Sequence, residues 1–498
     1  MRRFLPALLL AAAATPAALP AQRAQLQAGQ ARPITAAERA EGQRLNGSIT
    51  AEYGGAFTGR QAAYVEQVGR RIATRSGLGA NPGAFDVTLL NSPVDNAFAI
   101  PGGYVYVTRN LVALMNDEAE LAAVMGHEVA HVAARHGQKR QSAARRNTIF
   151  GALGQAVLGA VVGDSGLGGL LQRGAGTLPQ LLTLGYSRSQ ETESDDLAVR
   201  YLSSAGYDPA ALSTMLESLA DQSALTAAIA GEGSGGARST PRWASTHPDP
   251  ASRVRRAQQQ AAAVRAPTGT APAQRNRDAF LSAIDGMPYG EDPQQGVIEG
   301  RRFLHPALGV GFEAPAGFTL RNTARAVSIA GQGAQGEFST APYSGDLNAY
   351  VGNVLRQLGG GSGAVPSVRT ERTTVNGLPA AYASVRANSG NTPVDVTVFA
   401  YQLSPTRAVH FTALSPAGQG PGALEPLFGS LRRLTAADTA AIRPRFVRVV
   451  TVRPGDTAAT LSARMAYPDG KLDRFLVLNR LEENTQLRPG DKVKVVTY

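Results

Sequence analysis

The chain has 498 residues, 43% of them hydrophobic, and a formal charge of +11, enough apolar material for more than one core. It holds no cysteine, which excludes a disulfide framework, a thiolate metal site, a cysteine nucleophile and the lipidated cysteine of a lipoprotein. The charge is nearly all arginine, the only lysines being Lys139, Lys471, Lys492 and Lys494. No segment interleaves basic with aromatic residues, so nucleic acid is not an expected partner.

Residues 1–21 read as a cleaved secretory signal. Arg2 and Arg3 precede a short apolar run over 5–14, and small residues at 17–21 offer a cleavage point. The run is too short to cross about 30 Å of hydrocarbon. Residues 22–265 have the pattern of a mainly α domain with a small β-sheet. Spacing predicts a helix over 61–74, and strands over 85–90 and 103–108 flanking a turn at Pro101-Gly102. Long helices are predicted from about 117 to 135 and from about 189 to 205, the second stopped by Gly206. The strand containing Tyr104, Val105 and Tyr106 has two readings. It is either a sheet edge that pairs with an extended substrate or an ordinary core strand. Residues 148–183, rich in Gly, Ala and Leu, read as a lid or amphipathic hairpin with peripheral membrane contact. Residues 266–295 read as a linker. Residues 296–437 alternate like the strands of an α+β domain with one helix over 347–358, and 446–498 form a small strand–helix–helix–strand unit.

The chemistry centres on His127-Glu128-Val129-Ala130-His131. Asp117 and Glu120 mark a helix N-terminus, and Leu121, Val124, Met125 and Val132 supply its core-facing side. On a helix, residues four apart stand above one another, so both imidazoles reach one metal ion. Glu128 stands about 60° to 100° round from them, where it can serve as a general base. A solvated helix face with two unrelated histidines is the bland alternative. His136, nine residues after His127, falls on the opposite face of an extended helix and reads as a C-terminal helix charge. A catalytic zinc takes three protein ligands, and the best source of the third is Glu191. Asp195, four residues on, is expected to orient His127 or His131 from outside. Glu193 lies off that face and reads as a solvated charge.

Several further segments accompany this motif in order: 96–108, 191–195, Gly206-Tyr207-Asp208-Pro209, Ser245-Thr246-His247-Pro248, and Arg253. Together they resemble the HtpX-like and CaaX-prenyl-protease-like zinc peptidases over residues 36–260, nearest the soluble periplasmic branch that includes the β-barrel assembly-enhancing proteases. The resemblance implies one zinc per chain, Glu191 as a ligand, and cleavage of misfolded or stalled envelope proteins in the periplasm. Ser194 departs from it, since alanine is usual there. His247 has two readings: a loop histidine before the helix-starting Pro248, or a gate or transition-state donor at the metal. In the open coordination position it would hold the enzyme latent. Arg253 is either a structural charge or a second donor to the reacting oxygen.

Val452-Arg453-Pro454-Gly455-Asp456-Thr457 and Leu487-Arg488-Pro489-Gly490-Asp491 give residues 446–498 a resemblance to LysM modules, which implies peptidoglycan as a partner. The 296–437 domain resembles PsbP-type α/β folds only through residues 375–379 and 430–432. Two functional classes follow: an active envelope protease, or a latent zinc-containing chaperone or assembly scaffold held at the cell wall. A wall-anchored binding protein is a third.

Overall fold

The computed structural model describes residues 31–139, 185–231, 243, 246–247, 250–264, 273–359, 369–389 and 392–498. The expected signal at 1–21 and the lid over 148–183 lie outside these residues. Among the described residues no helix is long and apolar enough to cross a membrane.

The N-terminal unit contains α1 (Ala36–Glu52), α2 (Arg60–Ala73), β1 (Asp86–Leu90), β2 (Ala97–Ile100), β3 (Tyr104–Thr108), α3 (Arg109–Leu114) and α4 (Glu118–Ala133). It continues with α5 (Arg188–Ser204), α6 (Ala211–Gly231), α7 (Pro250–Ala263) and α8 (Arg277–Ile284). α4 is buried everywhere except at Val132, its alanine-rich apolar positions packing on the core and its buried Glu and His side chains finding polar partners. Asp117 accepts from the Glu120 amide, and Glu120 reaches back to the amide of Asn116, so the helix start satisfies its own orphan donors. Gly126 gives room to Ile72 of α2 against α4. A Cβ there would stand 3.3 Å from Ile72 and 3.8 Å from the Ala198 Cα.

The small sheet has the order β1-β3-β2. β3 is therefore central, parallel to β1 and antiparallel to β2, and every one of its residues is buried. This corrects the reading of Tyr104, Val105 and Tyr106 as a substrate-pairing edge: their backbone already pairs on both sides. β2, four residues long, is the strand across the Pro101–Gly103 turn. Gly102 holds φ at 94° there, and a Cβ would come within 2.5 Å of the Glu38 carbonyl.

The expected linker is corrected as well. From residue 273 onward the chain is folded onto the N-terminal core, with Phe280, Leu281, Ile284 and Met287 no more than 1% exposed. Its polar composition hid an apolar stripe at helical spacing.

The middle unit follows β4 (Pro288–Tyr289). It consists of β5 (Val297–Glu299), β6 (Arg302–His305), β7 (Val310–Glu313), β8 (Thr319–Asn322), β9 (Ala326–Gly331), β10 (Ala334–Thr340) and α9 (Leu347–Leu358). β11 (Glu371–Val375), β12 (Leu378–Ser389), β13 (Thr392–Ser404), β14 (Arg407–Pro416) and β15 (Arg432–Arg433) complete it. A seven-stranded antiparallel sheet runs β11-β12-β13-β14-β10-β9-β8, beside a four-stranded sheet β15-β7-β6-β5. α9 covers one face of the larger sheet and a phenylalanine-rich core the other, so β13 is buried almost continuously instead of alternating.

The last residues form β16 (Arg445–Thr451), α10 (Ala458–Ser462), α11 (Lys471–Asn479) and β17 (Lys492–Thr497), in the expected βααβ order. The unit is docked. β16 pairs with β4, and Val447 belongs to the N-terminal core. Lys494 is fully buried and its Nζ donates to the carbonyls of Ala113, Leu114 and Met115, capping the C-terminus of α3. Lys494→Met is expected to lower the unfolding free energy by about 1–3 kcal/mol, because three buried carbonyls lose their donor. Denaturant titration checks this, and an unchanged midpoint would contradict it.

Candidate metal centre

α4 sets His127 and His131 on one face, with their Nε2 atoms 3.0 Å apart. At the start of α5, Ser187 and Gln190 close a reciprocal capping box, which sets Glu191 in the first turn. Glu191 Oε1 lies 3.4 Å from His131 Nε2 and its Oε2 lies 3.6 Å from His127 Nε2. His247 completes the group, its Nδ1 3.3 Å from His127 Nε2 and 3.0 Å from Glu191 Oε1. All four residues are at most 2% exposed, and their donor atoms lie within 4.8 Å of one another.

These atoms fit a metal ion. Donors around a tetrahedral zinc with bonds of about 2.0–2.1 Å stand roughly 3.3 Å apart, and the separations here run from 3.0 to 3.6 Å. His127 and His131 each turn Nδ1 to an outer partner, which leaves two Nε2 atoms facing each other in a buried space. A cation between them relieves that arrangement. Glu191 Oε2 is buried without a well-aligned hydrogen bond, although Arg253 Nη1 stands 2.5 Å away as an ion pair.

Asp195 follows Glu191 by one turn and holds His127, Oδ1 to Nδ1, at 3.0 Å. Arg253, on α7, donates to Asp195 from Nε and Nη2 at 2.7 and 2.6 Å. Burial favours the neutral acid, but Arg253 and then His127 outweigh it and hold Asp195 below the usual carboxylate range. The guanidinium also lies 5.4 Å over the Trp243 ring. Arg253 thus carries two carboxylates, Asp195 and Glu191.

His136 is corrected too. α4 ends at Ala133, and Arg135 at φ 57° turns the chain back, so a continued helical wheel misplaces His136. The residue is fully buried, its Nδ1 2.9 Å from His131 Nδ1 and its Nε2 3.1 Å from Glu193 Oε2. Glu193, expected as a solvated charge, is thus paired. Tyr186, which sequence reasoning gave no role, stacks on His131 with centroids 3.7 Å apart.

Glu128 stands beside the donors. Its Oε1 accepts from Trp243 Nε1 at 3.3 Å and lies 3.4 Å from His247 Nε2. Burial pushes its carboxyl up, against the opposing pull of His247 and His127. His247 therefore bridges, with Nδ1 among the donors and Nε2 at Glu128. Trp243 was missed, although the chain's only tryptophan, four residues before His247, was a signal. It stacks on His247 at 4.7 Å and donates its backbone N–H to Asp95. Among these side chains, burial opposes charge on His127, but Asp195 and Glu191 outweigh it and hold its pKa up at about 9. Burial, with His127 and His247 nearby, presses His131 well below its ordinary value. Burial also opposes a charged Glu191, yet the three histidines keep it ionised. The arrangement offers four buried donors beside a carboxylate that can take and pass a proton.

Residues 59–261 match the family model described as Peptidase family M48. The β-barrel assembly-enhancing protease of Escherichia coli O157:H7 is 33% identical over 162 residues, 32% of this chain and 32% of that protein. The mitochondrial metalloendopeptidase OMA1 of Schizosaccharomyces pombe is 31% identical over 194 residues, 39% of this chain and 51% of that one. The metalloprotease LoiP of Escherichia coli K12 is 38% identical over 127 residues, 25% of this chain and 47% of that one. The chain thus spans 32% of the length of the first curated relatives it matches. All four donors and Glu128 lie inside the span, residues 59–261, that matches the M48 model.

Proposed function

We propose that this chain is a zinc-dependent endopeptidase of the cell envelope that cleaves misfolded or stalled envelope proteins, and that His247 holds it latent. The observation that carries the reading is the buried carboxylate of Glu128 beside four converging metal donors. The relatives' names support the reaction class, and the name β-barrel assembly-enhancing protease supports an envelope substrate.

His127, His131 and Glu191 would hold one zinc per chain, with His247 as the fourth donor at rest. Bound there, zinc supplies Lewis-acid chemistry, acidifying water and polarising a carbonyl oxygen. Glu128, steered by Trp243, takes a proton from the attacking water and returns it to the leaving amine. Asp195 and Arg253 keep His127 in the tautomer that offers Nε2 to the centre. β2, the sheet edge packed against α4, is the strand along which an extended substrate can add its own backbone.

The latent state follows from the position of His247 between the donors and Glu128. His247→Ala is expected to keep zinc and to cleave an unfolded protein about tenfold faster, as follows if displacing the ring costs about 1.4 kcal/mol. A zinc-loaded His247→Ala with lost activity would return His247 to the role of transition-state donor.

The periplasm is the proposed location, supported by the signal-like pattern of residues 1–21. Peptidoglycan binding through 446–498 rests on the paired Arg-Pro-Gly-Asp turns, and membrane contact through 148–183 on composition alone. An assembly-scaffold role is compatible with the latent state.

A further inference from the structure

One buried chain of polar side chains has no part in the mechanism above: His131, His136 and Glu193. We infer that His136 and Glu193 are positioning residues that fix the tautomer of His131 and so set how tightly the centre holds its metal ion. The inference rests on the reading of this site as a metal centre.

The hydrogen-bond geometry links the tautomers of the two rings, with Glu193 at the end of the chain. His131 turns Nε2 toward His127 and Glu191. A ring nitrogen that binds a metal must be unprotonated, so the His131 proton sits on Nδ1. That N–H points at His136 Nδ1, 2.9 Å away. His136 Nδ1 must then accept, which puts its own proton on Nε2, and that N–H donates to Glu193 Oε2 at 3.1 Å. The Ser194 hydroxyl also approaches His136 Nδ1, at a longer 3.4 Å. Tyr186 covers the face of His131 and resists rotation of the ring. His127 receives its carboxylate directly from Asp195, whereas His131 receives one through an intervening imidazole. The cause lies in α5. Asp195 stands a full turn after Glu191 and faces His127. Glu193, two residues after Glu191, points elsewhere and needs the ring that the Arg135 reversal delivers.

The test uses the full chain loaded with zinc and titrated with a chelator of known affinity, together with the absorption spectrum of the cobalt(II)-substituted protein. His136→Leu is expected to loosen zinc by about 10–100-fold, the usual effect of removing a partner of a ligating histidine. His136→Asn should recover most of that, because its amide oxygen can accept from His131 Nδ1. Glu193 is partly exposed, so Glu193→Gln leaves folding intact. Its smaller loss of affinity should disappear in the His136→Leu background, as two members of one relay require. Unchanged zinc affinity in Glu193→Gln or His136→Leu, or losses that simply add, would overturn the relay. A wild-type chain that binds no zinc would overturn the metal reading beneath it, so the two failures are told apart.

Discussion

Glu128→Gln is expected to lower kcat/KM for an unfolded protein by about a thousandfold while leaving the zinc content unchanged, within the range removed with a general acid–base group. The reason is positional. Glu128 is buried between Trp243 Nε1 and His247 Nε2 and does not belong to the four-donor cluster. Glutamine keeps the shape and can still accept from Trp243, but it cannot carry a proton from water to amine. Steady-state proteolysis beside metal analysis separates the two effects. If zinc were lost together with activity, Glu128 would have to be reassigned to the ligand set.

Arg253→Met should produce the largest loss of stability, about 3–5 kcal/mol, the cost of removing one partner from a buried ion pair. The guanidinium meets Asp195 through two hydrogen bonds and Glu191 through an ion pair, and none of the three is exposed by more than 7% at its side chain. Without it two carboxylates remain in a space closed to water. Arg253→Lys should rescue little, since an ammonium cannot reproduce the planar fork. Asp195→Asn combined with Arg253→Met should cost less than the separate losses added together, because the neutral amide no longer needs the cation. Chemical denaturation of the zinc-loaded chain measures all of this. Additive losses would show that Arg253 contributes through packing alone.

Much of the centre was legible because helical spacing carries it. His127 and His131, and Glu191 and Asp195, are pairs four residues apart, and that spacing alone sets each pair on one face of its helix. Where the helix stopped, the reasoning stopped too. Arg135 reverses the chain after α4 and brings back His136, a conformation an arginine rarely adopts and no periodicity announces. Partnership was hidden in the same way. Whether Tyr104 to Thr108 lay at an edge or in the middle depended on where the short β2 paired, and strand composition does not reveal neighbours. The linker, and the docking of the terminal unit, were hidden by composition. The segment after residue 273 looked polar, yet it contributes Phe280, Leu281 and Ile284 to the core, and a single buried lysine ties β17 to α3. In the middle unit the helix over Leu347–Leu358 was plain from its apolar spacing, whereas the strand order was not.

The most direct test of the central claim is the zinc content of the purified full chain, measured by mass spectrometry beside the His127→Ala/His131→Ala double variant. The expected result is one zinc per wild-type chain and none in the variant. A wild-type chain without zinc, or a variant that keeps it, would contradict the assignment of these residues as the metal centre.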